Sequence, residues 1–542
     1  MDKFNLLSEP WIPVRRASGK RERIAPWQLT EADVPLDIET PRPDFKGALL
    51  EFLVGLVQTA LPPATSKLWR RQLDPGDAPQ PEALSAAFKP LEPHFNLFGE
   101  RPRFLQDLTL SVAEAGGPSP VAALLMDTPG ENAARHNGDF FIKRDHSPDR
   151  LCPSCAAAAL YALQAYAPSG GVGYRVSLRG GGPLSTLIIG DSLWRTVWSN
   201  VLPLEAKGVT PLSAAPHHAA AVFPWAAPTA VSDKKGTEIH AAGRHFLTHY
   251  WATPRRVVLE PEEDAHPSAC PVCGETGRVF VRRFLARNYG NNYGVGWRHP
   301  LTPHREQGPG KEPLTLKGVS EGRGYNHWLG LVYGDAQDEK FPVRPALAVG
   351  NFRESLRGAM GGKAARLRAF GWDMDNMKAL NWCEEEYPVY DLPPDIPDAP
   401  AILADRAGRM VRAADQARRN LLAAAKEALF SDGARNAKAE ATLLAGLSMR
   451  FWADTKQAFE QRVQEIIACL KNAEYPLEVY ETWRGVLLAR TGRLFQDTAE
   501  RGSFPARRLE TIYGALNRMK AFNYTGCSKA LGLPMDGKGG RQ

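Results

Sequence analysis

Four of the seven cysteines in this chain fall into two Cys-Pro-x-Cys pairs, Cys152/Cys155 in CPSC and Cys270/Cys273 in CPVC. A two-residue spacer lets one tight turn aim two thiolates at a single ion, and two such turns supply the tetrahedral all-sulfur shell that Zn²⁺ accepts. The 114 residues between the pairs far exceed the spacing of a zinc ribbon. A shared ion would therefore pin two distant segments together rather than fold one small finger. Such a shell has no open coordination position, so the expected zinc is structural rather than catalytic. The spacing alone also allows two unlinked turns or a redox dithiol. No fifth soft ligand is needed, and nearby His266 reads as a surface histidine.

The remaining cysteines, Cys383, Cys469 and Cys527, are scattered, and free thiols point to a reducing compartment. The N-terminus, MDKFNLLSEPWIPV, does not read as a signal peptide. The longest apolar run, Ala48 to Leu61, is interrupted by Glu51 and Gln58 and is too short to span a bilayer. A cytoplasmic, soluble chain with no membrane partner is expected. With 542 residues, 43% of them hydrophobic, and 13 Trp, it can bury a large core and should hold two or more domains. Its net charge of +7 permits a nucleic-acid partner without demanding one.

Up to about residue 390 the chain is rich in Gly, Pro and aromatics, with short apolar runs such as Ser185–Ile189 and Leu329–Tyr333 between turn signals. YPVYDLPPDIPDAP then interrupts any helix and reads as an extended linker. Beyond it, Leu443, Leu447, Phe451, Phe459, Val463 and Ile466 recur at helical spacing, as do Leu477, Tyr480, Trp483 and Leu487. Blocks near Leu403–Phe430 and Leu509–Phe522 make four helices, and short connections make them antiparallel. The expected fold class is α+β: a large mixed N-terminal domain with a structural zinc site (1–387), a Pro-rich linker (388–400), a C-terminal four-helix bundle (401–530) and a flexible tail (531–542). Arg406, Arg409, Arg412, Arg418 and Arg419 decorate the first bundle helix, as a solvated face or a phosphate-binding stripe.

Enzyme signatures fail on inspection. Gly361–Lys363 lacks the first glycine and the Ser/Thr of a P-loop, and Asp373/Asp375 begin a calcium loop that Met377 and Lys378 break. Glu384–Glu386 with these aspartates could bind Mg²⁺ for phosphodiester cleavage, but nothing in the sequence positions a base or an activated water. What remains is Pro168-Ser169-Gly170-Gly171-Val172-Gly173-Tyr174-Arg175, one helix's length after the first cysteine pair. Glycines let backbone approach a ligand closely, although an ordinary helix-to-strand loop has the same composition.

The opening Phe4-Asn5-Leu6-Leu7-Ser8-Glu9-Pro10-Trp11-Ile12-Pro13-Val14, the two cysteine pairs, Leu178-Arg179-Gly180-Gly181-Gly182-Pro183 and Gly371-Trp372-Asp373-Met374-Asp375-Asn376-Met377-Lys378 together resemble the CasA family. CasA is the large subunit of Cascade, the type I-E CRISPR surveillance complex, and the resemblance runs over essentially the whole chain. It implies a non-enzymatic subunit, beside the 5′ end of the guide RNA, that tests duplex DNA for a protospacer-adjacent motif while guide pairing reads the rest.

The resemblance also assigns residues. The family's glycine loop falls on Ser169, Gly170, Gly171 and Val172. Its basic finger falls on Arg287 and Asn288, with Asn where a lysine is expected, so either Arg287 takes that role or motif preference differs. Its wedge, a hairpin that starts strand separation, falls on Gly371–Lys378, with Asn376 at the position of the family's glutamine and Asp375 and Lys378 beside it. The loop that docks on the guide-RNA foot should carry Phe141, Lys143 and Arg144. Arg412, Arg418 and Arg419 are the expected phosphate contacts of the bundle. Implied partners are the other Cascade subunits with guide RNA, double-stranded target DNA and a helicase-nuclease recruited after binding. Two other readings of the residues stay open: a zinc-stabilised metal-dependent nuclease, and an assembly scaffold that never touches DNA.

Overall fold

A computed structural model describes residues 3–129, 146–168, 171–214, 219–319, 324–334, 342–361, 364–375, 378–430, 437–472, 474–499 and 506–535. The chain divides into two compact units. One comprises Met1–Ser320, Pro345–Leu356 and Ala365–Glu386; the other comprises Glu321–Arg344, Arg357–Ala364 and Tyr387–Gln542. Helix and sheet are mixed in the first and helices dominate the second, so the α+β class with a C-terminal bundle describes the molecule. No described helix is long and apolar enough to cross a membrane.

The first unit opens with a small antiparallel sheet of β1 (Ile12–Arg16), β2 (Arg21–Ile24) and β3 (Pro35–Ile38), with β1 in the centre. Next comes α1 (Pro43–Ala60), which is buried almost all round, as expected for a helix at the centre of a large core. Phe52 on α1 meets Trp11, Phe104, Tyr161 and Trp251 edge-on at centroid distances of 5.3–6.0 Å. Edge-on geometry sets the positive ring edge against the negative ring face. The two polar residues that interrupt its apolar run are buried and satisfied. Gln58 exchanges two hydrogen bonds with the backbone of Leu202 (3.0 and 2.7 Å). Glu51 pairs with buried Arg179 (2.7 Å).

Helix α2 (Pro153–Tyr166) starts with Pro at its first position, where a missing N–H costs nothing, and continues through four alanines. Pro168 ends it by excluding Ala167 from the helical region. Strand β4 (Ser185–Ile189) then joins a three-stranded sheet completed late in the chain. The long hairpin of β5 (Arg256–Ala269) and β6 (Thr276–Arg287) carries register shifts at Gly277/Val279 and Val281/Arg283, irregularities that bend and twist a strand pair. Strands β7 (Ala365–Asp375) and β8 (Lys378–Val389) form a second hairpin, with β7 pairing β4 at Phe370↔Ser185.

The four long described helices of the second unit are α3 (Ala399–Phe430), α4 (Ala437–Ala468), α5 (Leu477–Ala499) and α6 (Ala506–Leu531). Leu403, Ala407, Met410, Ala414, Ala417, Leu421, Ala425 and Ala428 form one buried stripe on α3, which packs against all three other helices. Small side chains there allow close approach. Arg406 departs from the expected surface stripe. It is 4% exposed and donates to the carbonyls of Cys469, Asn472 and Glu474, satisfying oxygens that the end of α4 leaves free.

The proline-rich stretch is not a free spacer. Pro388 and Val389 finish β8, Pro400 lies in the first turn of α3, and Tyr390 and Leu392 between them are buried. The Trp328 indole donates to Pro388 O (2.7 Å), and Asp391 accepts from the amides of Gly358 (2.6 Å) and Met360 (3.0 Å). Tyr325 stacks on Phe459 at 4.2 Å, which explains why residues 324–334 belong with the helical unit despite their place in the sequence.

His249, His299 and His304 cluster in the first unit. His249 Nδ1 donates to Phe246 O (2.7 Å), and the rings of His249 and His299 lie 6.0 Å apart. Burial pushes His249 and His304 down to about 4 and His299 well below its ordinary value. In the unfolded chain these rings take up protons near pH 6.5, while the folded unit refuses them. Their contribution is thus complete above about pH 6.5 and is lost as pH falls toward 4. Denaturant unfolding should show a midpoint that drops between about pH 7 and pH 5, with a smaller drop in His299→Gln; a flat profile in the native protein would contradict this.

Candidate metal centre and nucleic-acid interface

The four cysteine sulfurs converge, all lying within 4.8 Å of one another, with Cys152 and Cys273 3.6 Å apart. Three of the cysteines are buried and Cys273 is half-buried. One tetrahedral ion with bonds to sulfur of about 2.3 Å requires S···S separations of about 3.8 Å, so the cluster can hold a metal ion. Cys152 caps the N-terminus of α2, and Pro153 carries the chain into the helix that holds Cys155. Cys270 and Cys273 sit in the turn of the β5–β6 hairpin, closed by Gly274 N to Cys270 O (2.8 Å) with Gly274 in the left-handed region. His266 is exposed on β5 and outside the cluster. Arg23 on β2 reaches in, its Nη2 lying 3.2 Å from Cys273 Sγ and 3.7 Å from Cys152 Sγ. Burial opposes the Arg23 charge, but Cys152, Cys273 and Glu275 together raise its pKa above the ordinary guanidinium value.

From this cluster two elements run side by side. Leu151 bridges Val281 on β6 through a pair of backbone hydrogen bonds (2.9 and 2.8 Å). Beyond that bridge, the strand from Val281 to Arg287 and the helix α2 each cover about 20 Å. They therefore end together. There the Tyr289 amide donates to Gly173 O (2.8 Å), and Asn288 Nδ2 donates to Val172 O (2.6 Å). A Cβ on Gly173 would sit 2.9 Å from the Tyr289 ring, and Gly173 has φ +76°, so only glycine fits this contact. Tyr289 is itself held at φ +65°, a strained conformation for a non-glycine residue.

The structure thus brings Gly171 and Val172 together with Arg287 and Asn288; Ser169 and Gly170 lie outside the described residues. Val172 is 78% exposed. Arg287 is exposed and has no polar partner among the described residues, whereas the Asn288 amide is engaged in holding the loop.

Glycines also seat the β7–β8 hairpin. A Cβ on Gly182 would meet Trp372 O at 2.5 Å, one on Gly318 would meet the same oxygen at 2.6 Å, and one on Gly371 would meet Pro183 O at 2.5 Å. Gly318 N donates to Gly182 O (3.1 Å). Beneath them lies a buried network in which Arg179 binds Glu51 (2.7 Å), Ser185 (2.9 Å) and Thr302 (3.1 Å), and Glu51 also accepts from Tyr166 (2.9 Å). Both charges are fully buried, so the extra hydrogen bonds are what make their burial tolerable. Of the hairpin expected over Gly371–Lys378, most is strand: β7 runs to Asp375 and β8 starts at Lys378. Asn376 lies outside the described residues.

A family model described as CRISPR-associated protein Cse1 matches residues 5–494. The chain belongs to the Cse1 family. A Thermus thermophilus CRISPR-associated protein CasA/Cse1 is 29% identical over 226 residues, which span 39% of this chain and 42% of that relative, less than half of its length. Among solved structures, Thermobifida fusca Cse1 matches with a TM-score of 0.70 at 18% identity, covering 98% of each chain. A chain of a CRISPR RNA-guided surveillance complex matches with a TM-score of 0.68 at 18% identity, covering 96% of this chain and all of that one. At such identities these structures establish the Cse1 fold.

Within this Cse1 chain, the expected foot-loop residues Phe141, Lys143 and Arg144 lie outside the described residues. The three bundle arginines do not share a face. Arg412 and Arg419 are exposed, two turns apart on α3. Arg419 also pairs with Asp415 (3.3 Å) and donates to Gln416 (3.2 Å), while Arg418 binds Asp415 (2.8 Å) and Ser448 (3.2 Å) and lies over the Trp452 ring at 5.8 Å. Sequence reasoning did not single out Arg23, Tyr289 or Gly318, whose partners are 54 or more positions away and carry no local signature.

Gly182 and Gly180 offer a direct comparison of two left-handed glycines, φ +60° and +83°, only one of which is crowded. Gly180→Ala meets nothing within 4 Å and should cost about 1 kcal/mol from its backbone alone. Gly182→Ala must also displace the Trp372 carbonyl and should cost about 2–4 kcal/mol. Urea unfolding of both variants checks this, and equal losses would mean that the hairpin base is not tightly seated.

Proposed function

We propose that this chain is the large, non-catalytic subunit of an RNA-guided CRISPR surveillance complex of the Cascade type, and that it reads a protospacer-adjacent motif in duplex DNA. The observation that carries the reading is the pinning of the glycine loop against the chain just after β6: Asn288 holds the carbonyl of exposed Val172, and its neighbour Arg287 is exposed with no polar partner among the described residues. A backbone-led loop and one free guanidinium suit the narrow minor groove, where access is limited and readout rests on few contacts. Arg287 is then the basic finger, and Asn288 holds the loop in place for it.

The four thiolates suit zinc, and a shell closed by four protein sulfurs leaves no position for substrate, which makes the ion structural. In this reading the β7–β8 hairpin, seated on three glycines, supplies the wedge, with Asn376, Asp375 and Lys378 as its contacts. Arg412 and Arg419 add sequence-independent phosphate contacts. Phe141, Lys143 and Arg144 dock on the guide-RNA foot, and a helicase-nuclease is recruited to the assembled surface after binding. The chain acts in the cytoplasm.

The test is a binding selection with the assembled, guide-loaded complex on duplexes randomised at the motif. The native complex should enrich a narrow motif set. Arg287→Ala should lower affinity for that set about ten- to a hundredfold. Arg412→Ala with Arg419→Ala should leave the ranking intact and flatten the log K versus log salt slope by about 0.9 for each phosphate no longer neutralised. Motif-independent binding would favour a scaffold, and metal-dependent cleavage by the isolated chain would favour a nuclease.

A further inference from the structure

Behind the glycine loop lies a half-buried guanidinium. Arg255 precedes β5, and its backbone is tied to the last turn of α2: its amide donates to Gln164 Oε1 (2.9 Å) and its carbonyl accepts from Gln164 Nε2 (2.9 Å). From this fixed base the side chain reaches both ends of the loop. Nη2 donates to Pro168 O at 2.7 Å, and the guanidinium lies 4.8 Å from the centroid of the Tyr174 ring.

Retaining a charge here is costly. Burial presses the Arg255 pKa down to about 10, its Nε is buried without a hydrogen-bond partner, and no carboxylate pairs with it among the described residues. Replacing a buried charge by an apolar side chain of similar volume is often neutral or stabilising, so packing alone does not account for an arginine. What the guanidinium adds is a planar cation that stacks on an aromatic ring and donates a directed hydrogen bond at once, a combination that neither Met nor Lys supplies.

We infer that Arg255 is a positioning residue that staples Pro168 to Tyr174 and so fixes the conformation in which Gly171 and Val172 are offered to DNA. The inference rests on the reading of this loop as the motif reader. It assigns Arg255 no contact with DNA. Its effect passes through Tyr174, whose amide donates to Gly171 O (3.3 Å), and through Gly173, whose carbonyl accepts from Tyr289 N.

Two readouts on Arg255→Met and Arg255→Lys test this. In the isolated chain, amide hydrogen exchange at Tyr174 and Tyr289 should quicken by about tenfold in both variants, the change expected when one hydrogen bond to a charged group is removed. The thermal midpoint of Arg255→Met should be unchanged or higher, which separates release of the staple from general unfolding. In the assembled complex, the affinity ratio between a preferred-motif duplex and a scrambled-motif duplex should fall by about tenfold, with affinity for the scrambled duplex unchanged. Unchanged exchange at both amides overturns the staple. Faster exchange with an unchanged affinity ratio overturns its link to DNA. A native complex with no motif preference defeats the motif-reading proposal instead, and the exchange result still decides the staple.

Discussion

The convergence of four sulfurs from segments 114 residues apart is the constraint on which the first unit depends. Closing a loop of that length costs conformational entropy that no local contact returns, and the apparent binding energy of a structural tetrathiolate ion, about 10–16 kcal/mol, is large enough to offset it. Once Cys152 is fixed beside Cys273, geometry does the rest. Helix α2 and the second half of β6 leave the Leu151–Val281 bridge together, cover similar lengths and meet again at Gly173 and Tyr289. A centre buried on one side of the unit thereby sets the position of an exposed loop about 20 Å away.

A second theme is how this fold uses backbone rather than side chains to hold its exposed features. Gly173 against Tyr289, and Gly182 and Gly318 against Trp372, bring main chains closer than any Cβ permits. Each such contact sits beside an arginine withdrawn from solvent: half-buried Arg255 behind the glycine loop, fully buried Arg179 beneath the hairpin. Glycines provide approach at the expense of stiffness, and the directed bonds of a guanidinium restore it. The pairing of the two devices gives loops that are exposed yet conformationally defined.

Much of this was legible in the sequence where the signal is local. The cysteine pairs announce themselves because a two-residue spacer has few other uses at that doubling, and the bundle helices because apolar residues at three- and four-residue spacing dictate a buried stripe. Legibility failed where tertiary contact overrides composition. Prolines 388–400 read as a spacer, but Trp328, Tyr333 and Asp391 bind the segment into the helical unit. Arg406 looked like one of a surface run, yet its register places it under the α4–α5 connection, where free carbonyls require a donor. Gly371 and Asp373 are turn formers that nonetheless lie within β7. Asn288 stood out as a substitution in a basic finger, but its amide is engaged with Val172 O, a partner 116 positions away that the sequence does not mark.

The central claim is that a metal ion on Cys152, Cys155, Cys270 and Cys273 holds the loop against the finger from a distance. Protein purified without chelator, measured by elemental analysis and then by amide exchange before and after metal removal, tests it most directly. The account predicts about one zinc per chain, and predicts that stripping it exposes the Tyr289 amide and the Leu151–Val281 bridge while α3 and α5 keep their protection. Absence of stoichiometric metal, or unchanged exchange at Tyr289 once the metal is gone, would contradict it.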